Sequence, residues 1–378
     1  MNNTPLNGIK VIELARILAG PWAGQTLADL GAEVIKIESP SGDDTRTWGP
    51  PFIEHDGETT AAYFHACNRG KKSVVLDFKT EVGRQHLLDL IADADVLIEN
   101  FKVGGLKKYG LDFESLSHLN PRLIYCSITG FGQTGPYANR AGYDFLMQGM
   151  AGLMSYTGEP DSQPQKVGVA VTDVFTGLYS VIAIQGALAH RATTGHGQHI
   201  DMSLLDVCTA VSANQGMNFL TTGVAPQRRG NDHPNIVPYR VFATSDGHVI
   251  LAVGNDGQFA KLCAILNLDH LAKDPRFATN QARVEHRDIL VPMLQAELEK
   301  ISKSECLQAC ETNGVPAGPI NDMAEVFADP QVKSRGLQLD LDGVPSIRNP
   351  IRFSQSDMMQ NEPSPRLGKH TQDVLKKD

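Results

Sequence analysis

Short apolar runs alternate with amphipathic stretches through the first third of the chain. GIKVIEL (8–14) is a strand-like run. It leads through a loop into AGPWAGQTLADLG (19–31), a helix stopped at Gly31, and then into a second apolar run, AEVIKIE (32–38). That spacing makes a β–α–β unit of about thirty residues, the length a parallel crossover needs. The pattern returns with KSVVLDF (72–78), a helix over Thr80–Ala92, and DVLIENF (95–101). RLIYCSITGFG (122–132) follows a helical DFESLSHLN. Near-continuous apolar strands alternating with helices predict a parallel sheet covered on both faces.

Further on the pattern changes. An apolar run at Val167–Val171 meets a lone acid, Asp173, and a second run continues through Ala189, which reads as a strand-to-helix joint. Residues 202–220 read as a helix and 224–238 as a polar, turn-rich linker or loop. YRVFATSDGHVILAVG (239–254) reads as a hairpin about Ser245–Gly247, followed by helices near 256–266, 285–300 and 303–312 and by a loop at 314–322. The expectation is an α/β protein of two domains. Residues 1–200 with 330–378 form a large parallel-sheet domain, 201–224 a linker helix, and 225–325 a small α+β domain.

Composition narrows the classes. The chain has 378 residues, 41% hydrophobic and 20% charged, as in ordinary globular proteins. A formal charge of −9 disfavours nucleic acid and anionic membrane as partners and requires local basic clusters for any anionic ligand. No transmembrane span, signal peptide or lipidation address is expected. Six scattered Cys read as reduced packing thiols of a cytoplasmic protein. The loop after the first strand is LAGPWAG, without a G-x-G-x-x-G fingerprint. The phosphate-loop, G-x-S-x-G, H-E-x-x-H and C-x-x-C patterns are absent too, and no metal site is expected.

Several groups could carry chemistry. Asp173 fits a helix N-cap first, and as the sharper alternative a carboxylate nucleophile at the end of a sheet where ligands gather. NRGKKS (68–73) and KVGGLKK (102–108) could face a phosphate-rich ligand or be turns and solvated edges. In DDTRTWGPP (43–51), Arg46 could clamp a carboxylate bidentately beside Trp48. Tyr143 and Asp144 head an apolar helix. GNDGQF, with Gly254 and Asn255, is a turn that could bring backbone N–H groups to an anion.

Taken in order along nearly the whole chain, LAGPWAGQTLADLGAEVIKIE, GDDTRTWGPP, NRGKKSVVLDFK, DVLIENF, RLIYCSITGFGQTGPYANRAGYDFLMQGMAGLM, GVAVTDVFTGLYS, TGHGQHIDMSLLD and GVPAGPIND resemble the family III CoA-transferases, the group that includes formyl-CoA transferase and carnitine CoA-transferase. The resemblance implies a Rossmann-like large domain and an interlocked homodimer. It implies coenzyme A or acyl-CoA as a substrate with no permanently bound cofactor. Asp173 matches the family nucleophile, which attacks an acyl-CoA thioester to form an aspartyl-acyl anhydride that exchanges with a carboxylic acid. CoA contacts carry over to Leu18, Ala19, Leu76, Asp77, Phe78, Lys79, Asn100, Phe101, Lys102 and Lys108. Ser39 stands where some members have a phosphate-binding Arg. GNDGQF aligns with the family's glycine-rich loop. The related α-methylacyl-CoA racemases carry a His where this chain has Tyr143, a poor base at neutral pH. The segment pattern looks most like the branch that handles dicarboxylic acids such as succinate and glutarate, with formate–oxalate or carnitine-type acceptors, or a racemase-type activity, as the alternatives. Arg16, Arg46 and His233 are then the candidate cations for a second carboxylate.

Overall fold

The computed structural model describes residues 3–376. Strands β1 (Lys10–Glu13), β2 (Glu33–Glu38), β3 (Lys72–Val75), β4 (Val96–Glu99), β5 (Ile124–Thr129) and β6 (His199–Ser203) form one sheet in the order β3-β2-β1-β4-β5-β6, every pair parallel. This is the Rossmann order, which reverses direction between β1 and β4. β2, β4 and β5 are almost wholly buried, which is why they read as unbroken apolar runs.

Helix α1 (Ala19–Asp29) lies close under the sheet because its first turns are small. A Cβ on Gly20 would sit 2.2 Å from the Ala15 Cβ, and one on Gly24 would sit 1.8 Å from a Glu13 carboxylate oxygen. Pro21 is tolerated in that first turn, where the N–H groups have no intrahelical acceptor. Helix α2 (Glu81–Ala92) is capped by the Thr80 side chain, which accepts the Gly83 N–H. After α3 (Phe113–Leu119) and α4 (Asp144–Met150) comes the long helix α5 (Val171–Thr194). It buries Thr172, Thr176, Gly177, Ser180, Val181, Ile184 and Ala187, one stripe at helical spacing, against α1 and β5. Phe175, Leu178, Tyr179 and Ile182 on its other side are exposed. By length and composition α5 is apolar enough to cross a membrane, a test that core helices also pass.

Two expectations fail here. No strand precedes Asp173, since residues 166–170 are irregular and Val169 is 62% exposed. The span expected as the linker helix begins inside β6 and continues as α6 (Leu204–Ala210) and α7 (Ala213–Thr222), grouped with the large unit. β6 is a sheet edge with alternating exposure, so its HIDMS sequence lacks the apolar run that marks the inner strands.

The chain divides into two compact units. One comprises residues 1–153, 166–224 and 330–378, and the other 154–165 and 225–329. In the second, β7 (Tyr239–Thr244) and β8 (Gly247–Ala252) form the expected hairpin. The expected loop at 314–322 contributes an edge strand, β9 (Ala317–Pro319). Phe242, Val249, Leu251, Phe259, Leu290 and Leu294 pack its core.

Candidate active site

β1 and β4 run side by side, and the segments leaving their carboxyl ends turn opposite ways. Asn100 ties the two segments together. Its Oδ1 accepts the Arg16 N–H at 3.0 Å, and its Nδ2 donates to the Arg16 carbonyl at 2.7 Å. Ile17 takes a left-handed φ of 73°. Beneath the loop, buried Lys36 bridges Glu13 and Asp43, both at 2.9 Å, and donates to the Ala15 carbonyl. Mutual charge holds the Lys36 ammonium ionised despite complete burial.

Two clefts open over this switch point. The first, with about 250 Å³ of room, is lined by Arg16–Ala19, Asn100–Val103, Ile128–Gly130, Ala138, Arg140–Tyr143, Leu204 and Asp173. The second, about 520 Å³, is lined chiefly by Lys36–Asp43 and Leu76–Lys79, and shares Arg16 and Phe101 with the first. Leu18, Ala19, Asn100, Phe101 and Lys102 therefore line one cleft, and Leu76, Asp77, Phe78 and Lys79 the other. Lys108 lines neither. Its ammonium lies 4.9 Å from the centre of the Tyr109 ring, which meets Phe78 edge-on at 5.4 Å.

Asp173 is the third residue of α5, one turn inside the position expected of a cap. The N-cap residue is Ala170, whose methyl group cannot accept a hydrogen bond. The Asp144 carboxylate supplies the cap instead, accepting the Thr172 N–H at 2.8 Å. Asp144 also accepts from Gln148 at 2.8 Å, and Gln148 in turn accepts the Val167 N–H. The 140–143 turn reaches β5 because Gly130 and Gly142 touch backbone to backbone. A Cβ on Gly142 would fall 2.5 Å from the Gly130 Cα.

The Asp173 carboxylate makes no hydrogen bond or ion pair among the described residues. Burial, and then the negative charge of Asp144, push it up to about 7. The positive end of a 24-residue helix works against that shift by favouring the anion. A carboxylate so placed is poorly solvated and uncompensated, which raises its basicity and leaves its lone pairs free for attack.

The model of CoA-transferase family III matches residues 6–371. This chain belongs to CoA-transferase family III. It is 61% identical over 379 residues to the succinate–glutarate CoA-transferase of Agrobacterium fabrum, covering 98% of this chain and 95% of that protein. The human succinyl-CoA:glutarate CoA-transferase is 43% identical, over 100% of this chain and 86% of its own length. The crystal structure of a CAIB/BAIF family protein from Brucella suis superposes with a TM-score of 0.89 at 62% identity, over 99% of both chains.

In this family III CoA-transferase several expected contacts are engaged elsewhere. Arg46 is 6% exposed and grips Glu38 through Nε and Nη2, both at 2.8 Å. Its guanidinium lies 3.8 Å from the centre of the Phe64 ring, so it is not free for a substrate carboxylate. The NRGKKS cluster is likewise committed. Arg69 pairs with Asp29 at 2.6 Å, Lys71 is buried on Glu13 at 2.8 Å, and Lys72 pairs with Glu33. Arg16 lines both clefts and holds Asp44 at 2.7 Å, with both side chains half exposed.

His233, Gly254 and Asn255 belong to the second unit. His233 Nδ1 accepts the Asn235 N–H, and its ring lies 5.2 Å from that of Tyr239. Asn255 caps the helix Asp256–Ile265, and the Gly254 N–H is taken by Gln258 at 2.8 Å. That hydrogen bond occupies the donor the sequence offered to an anion.

Sequence reasoning missed Tyr63. Its phenol is half-buried and pushed up to about 12, first by burial and then by the Asp173 charge. Trp48 packs edge-on against its ring at 5.5 Å. Within AAYFHACN a tyrosine reads as core, and nothing in the local pattern separates it from Phe64 beside it.

Proposed function

We propose that this enzyme moves CoA from succinyl-CoA to a dicarboxylic acid of the glutarate class, with Asp173 as nucleophile. The observation that carries the reading is the unpartnered Asp173 carboxylate, which lines the same cleft as Leu18, Ala19 and Asn100–Lys102. The names of the Agrobacterium and human relatives support the substrate pair.

The proposed chemistry runs through three bond exchanges. An Asp173 oxygen attacks the thioester carbonyl, the C–S bond breaks, and CoA leaves as its thiolate. The mixed anhydride is then attacked at the aspartyl carbonyl by the incoming carboxylate, which displaces the first acid. The thiolate attacks the acyl carbonyl of the new anhydride, forming the product thioester and restoring the Asp173 carboxylate. No water enters, so a cleft that excludes solvent protects both anhydrides. Leu76–Lys79 and Lys108, with Asn100–Lys102, hold CoA in this reading, with no Arg at position 39 to share its phosphate charge.

A homodimer accords with the apolar surface of the large unit, where Phe145, Leu146, Ile182 and Leu220 are exposed. Six free, buried thiols suit a reducing cytoplasm. Tyr143 stands where the related racemases carry a His, so transfer is favoured over racemisation.

The test is a grid of CoA thioesters against carboxylic acids, read by mass spectrometry, with hydroxylamine trapping of the acyl-enzyme. Glutarate and succinate are expected to exchange CoA through an adduct on Asp173. An Asp173→Asn variant that forms the adduct as readily as wild type overturns the nucleophile. Monocarboxylates accepted as well as dicarboxylates overturn the substrate class.

A further inference from the structure

A dicarboxylic acid bound for attack at Asp173 carries a second carboxylate that must be met by a cation in the same cleft. The cations there are Arg16, Lys102 and Arg140. Arg16 already holds Asp44, and Lys102 lies in the stretch read as contacting CoA. Arg140 is different. Its guanidinium lies 4.5 Å from the centre of the Tyr137 ring, and Tyr137 packs edge-on at 5.5 Å against the buried Phe131. The turn is closed by the Arg140 N–H on the Tyr137 carbonyl at 2.9 Å. No acid or carbonyl engages the guanidinium among the described residues. The ring contact, between two exposed side chains, leaves the guanidinium N–H groups without a protein acceptor, and such a fork suits a bidentate carboxylate. Three residues on, Tyr143 lines the cleft, and the next residue, Asp144, caps the helix that carries Asp173.

We infer that Arg140 binds the distal carboxylate of the dicarboxylic substrate and sets the preference for two-headed acids. This rests on the proposed transfer between dicarboxylic acids. It replaces Arg46, whose fork is held by Glu38.

The experiment compares wild type, Arg140→Ala and Arg140→Lys with succinyl-CoA as donor and glutarate or pentanoate as acceptor, alongside calorimetric titration with free CoA. Loss of one charged, bidentate contact predicts a fall in kcat/KM for glutarate of about 10- to 100-fold relative to pentanoate in Arg140→Ala. Arg140→Lys is expected to recover part of the preference, and CoA affinity to stay within about twofold. Weakened CoA binding with the glutarate preference retained would instead place Arg140 on a CoA phosphate and overturn the inference. So would a preference unchanged in both variants. If wild type itself uses pentanoate as well as glutarate, the dicarboxylate reading fails first, and that outcome is visible before any variant is made.

Discussion

The Asp144 carboxylate accepts the Thr172 N–H at 2.8 Å and so caps the helix from which the next residue, Asp173, projects. One acid thereby acts twice. It satisfies the Thr172 N–H in the first turn, and, after burial, its charge raises the Asp173 carboxyl.

Separating the two effects gives the first prediction. Asp144→Asn keeps an acceptor for Thr172 and removes the charge, so the Asp173 carboxyl becomes more acidic. The acid limb of the kcat/KM profile is expected to move to lower pH in this variant. A limb that stays in place shows that the charge does not reach Asp173. Asp144→Ala also loses the cap, at a cost of about 1 kcal/mol in urea unfolding.

Asp173 should also be a stability liability. Its folded carboxyl sits at about 7 against an ordinary value of 3.8. Between those values the folded state binds more protons than the unfolded chain. The associated stabilisation is full below pH 3.8 and is lost as pH rises through about 7. Asp173→Asn does not titrate, so it should melt above wild type by about 1–3 °C at pH 8, with the gap closing toward pH 4. A constant offset across that range would contradict the raised carboxyl. Loss of transfer activity in the same protein is expected at every pH.

Arg46 is predicted to matter for folding rather than for acid recognition. Arg46→Ala strands the buried Glu38 carboxylate and should cost about 3–5 kcal/mol in chemical denaturation. The KM for glutarate in the folded fraction should stay within about twofold. A large, selective rise in that KM would return Arg46 to the substrate.

The sequence carried the inner strands because burial on both faces leaves no polar alternation, as VIKIE in β2 and YCSIT in β5 show. The edge strand β6 escaped because one of its faces is solvated. The apolar residues before Asp173 misled for the opposite reason: apolar character marked a strand that is absent, and Val169 is largely exposed. Arg46 looked available because its partner Glu38 stands eight residues earlier, at the end of a strand that had to be folded against the following turn before the pairing existed. The clustering of Leu18, Asn100 and Leu76 around the two clefts was legible through family resemblance. The capping of α5 by Asp144, 28 residues upstream, had no local signature at all.

That distant cap depends on a backbone contact, and the contact supplies the final prediction. Gly130 follows β5 directly and Gly142 precedes the Tyr143–Asp144 pair. Neither needs a left-handed backbone, so the demand at both is for space alone. In Gly142→Ala the new methyl would meet the Gly130 Cα at 2.5 Å, and backbone cannot rotate aside as a side chain can. The 140–144 segment must then lift from the sheet. Overpacking of this kind should cost about 1–3 kcal/mol in denaturant unfolding. The displaced segment carries Arg140 into the cleft and the cap of α5, so kcat/KM should fall by about 100-fold, well beyond the effect of an equally destabilising substitution in the core. Leu87→Ala, in the hydrophobic cluster beneath the other face of the sheet, serves as that control. Matched activities in the two variants would mean that the glycine contact supports the fold without positioning the site.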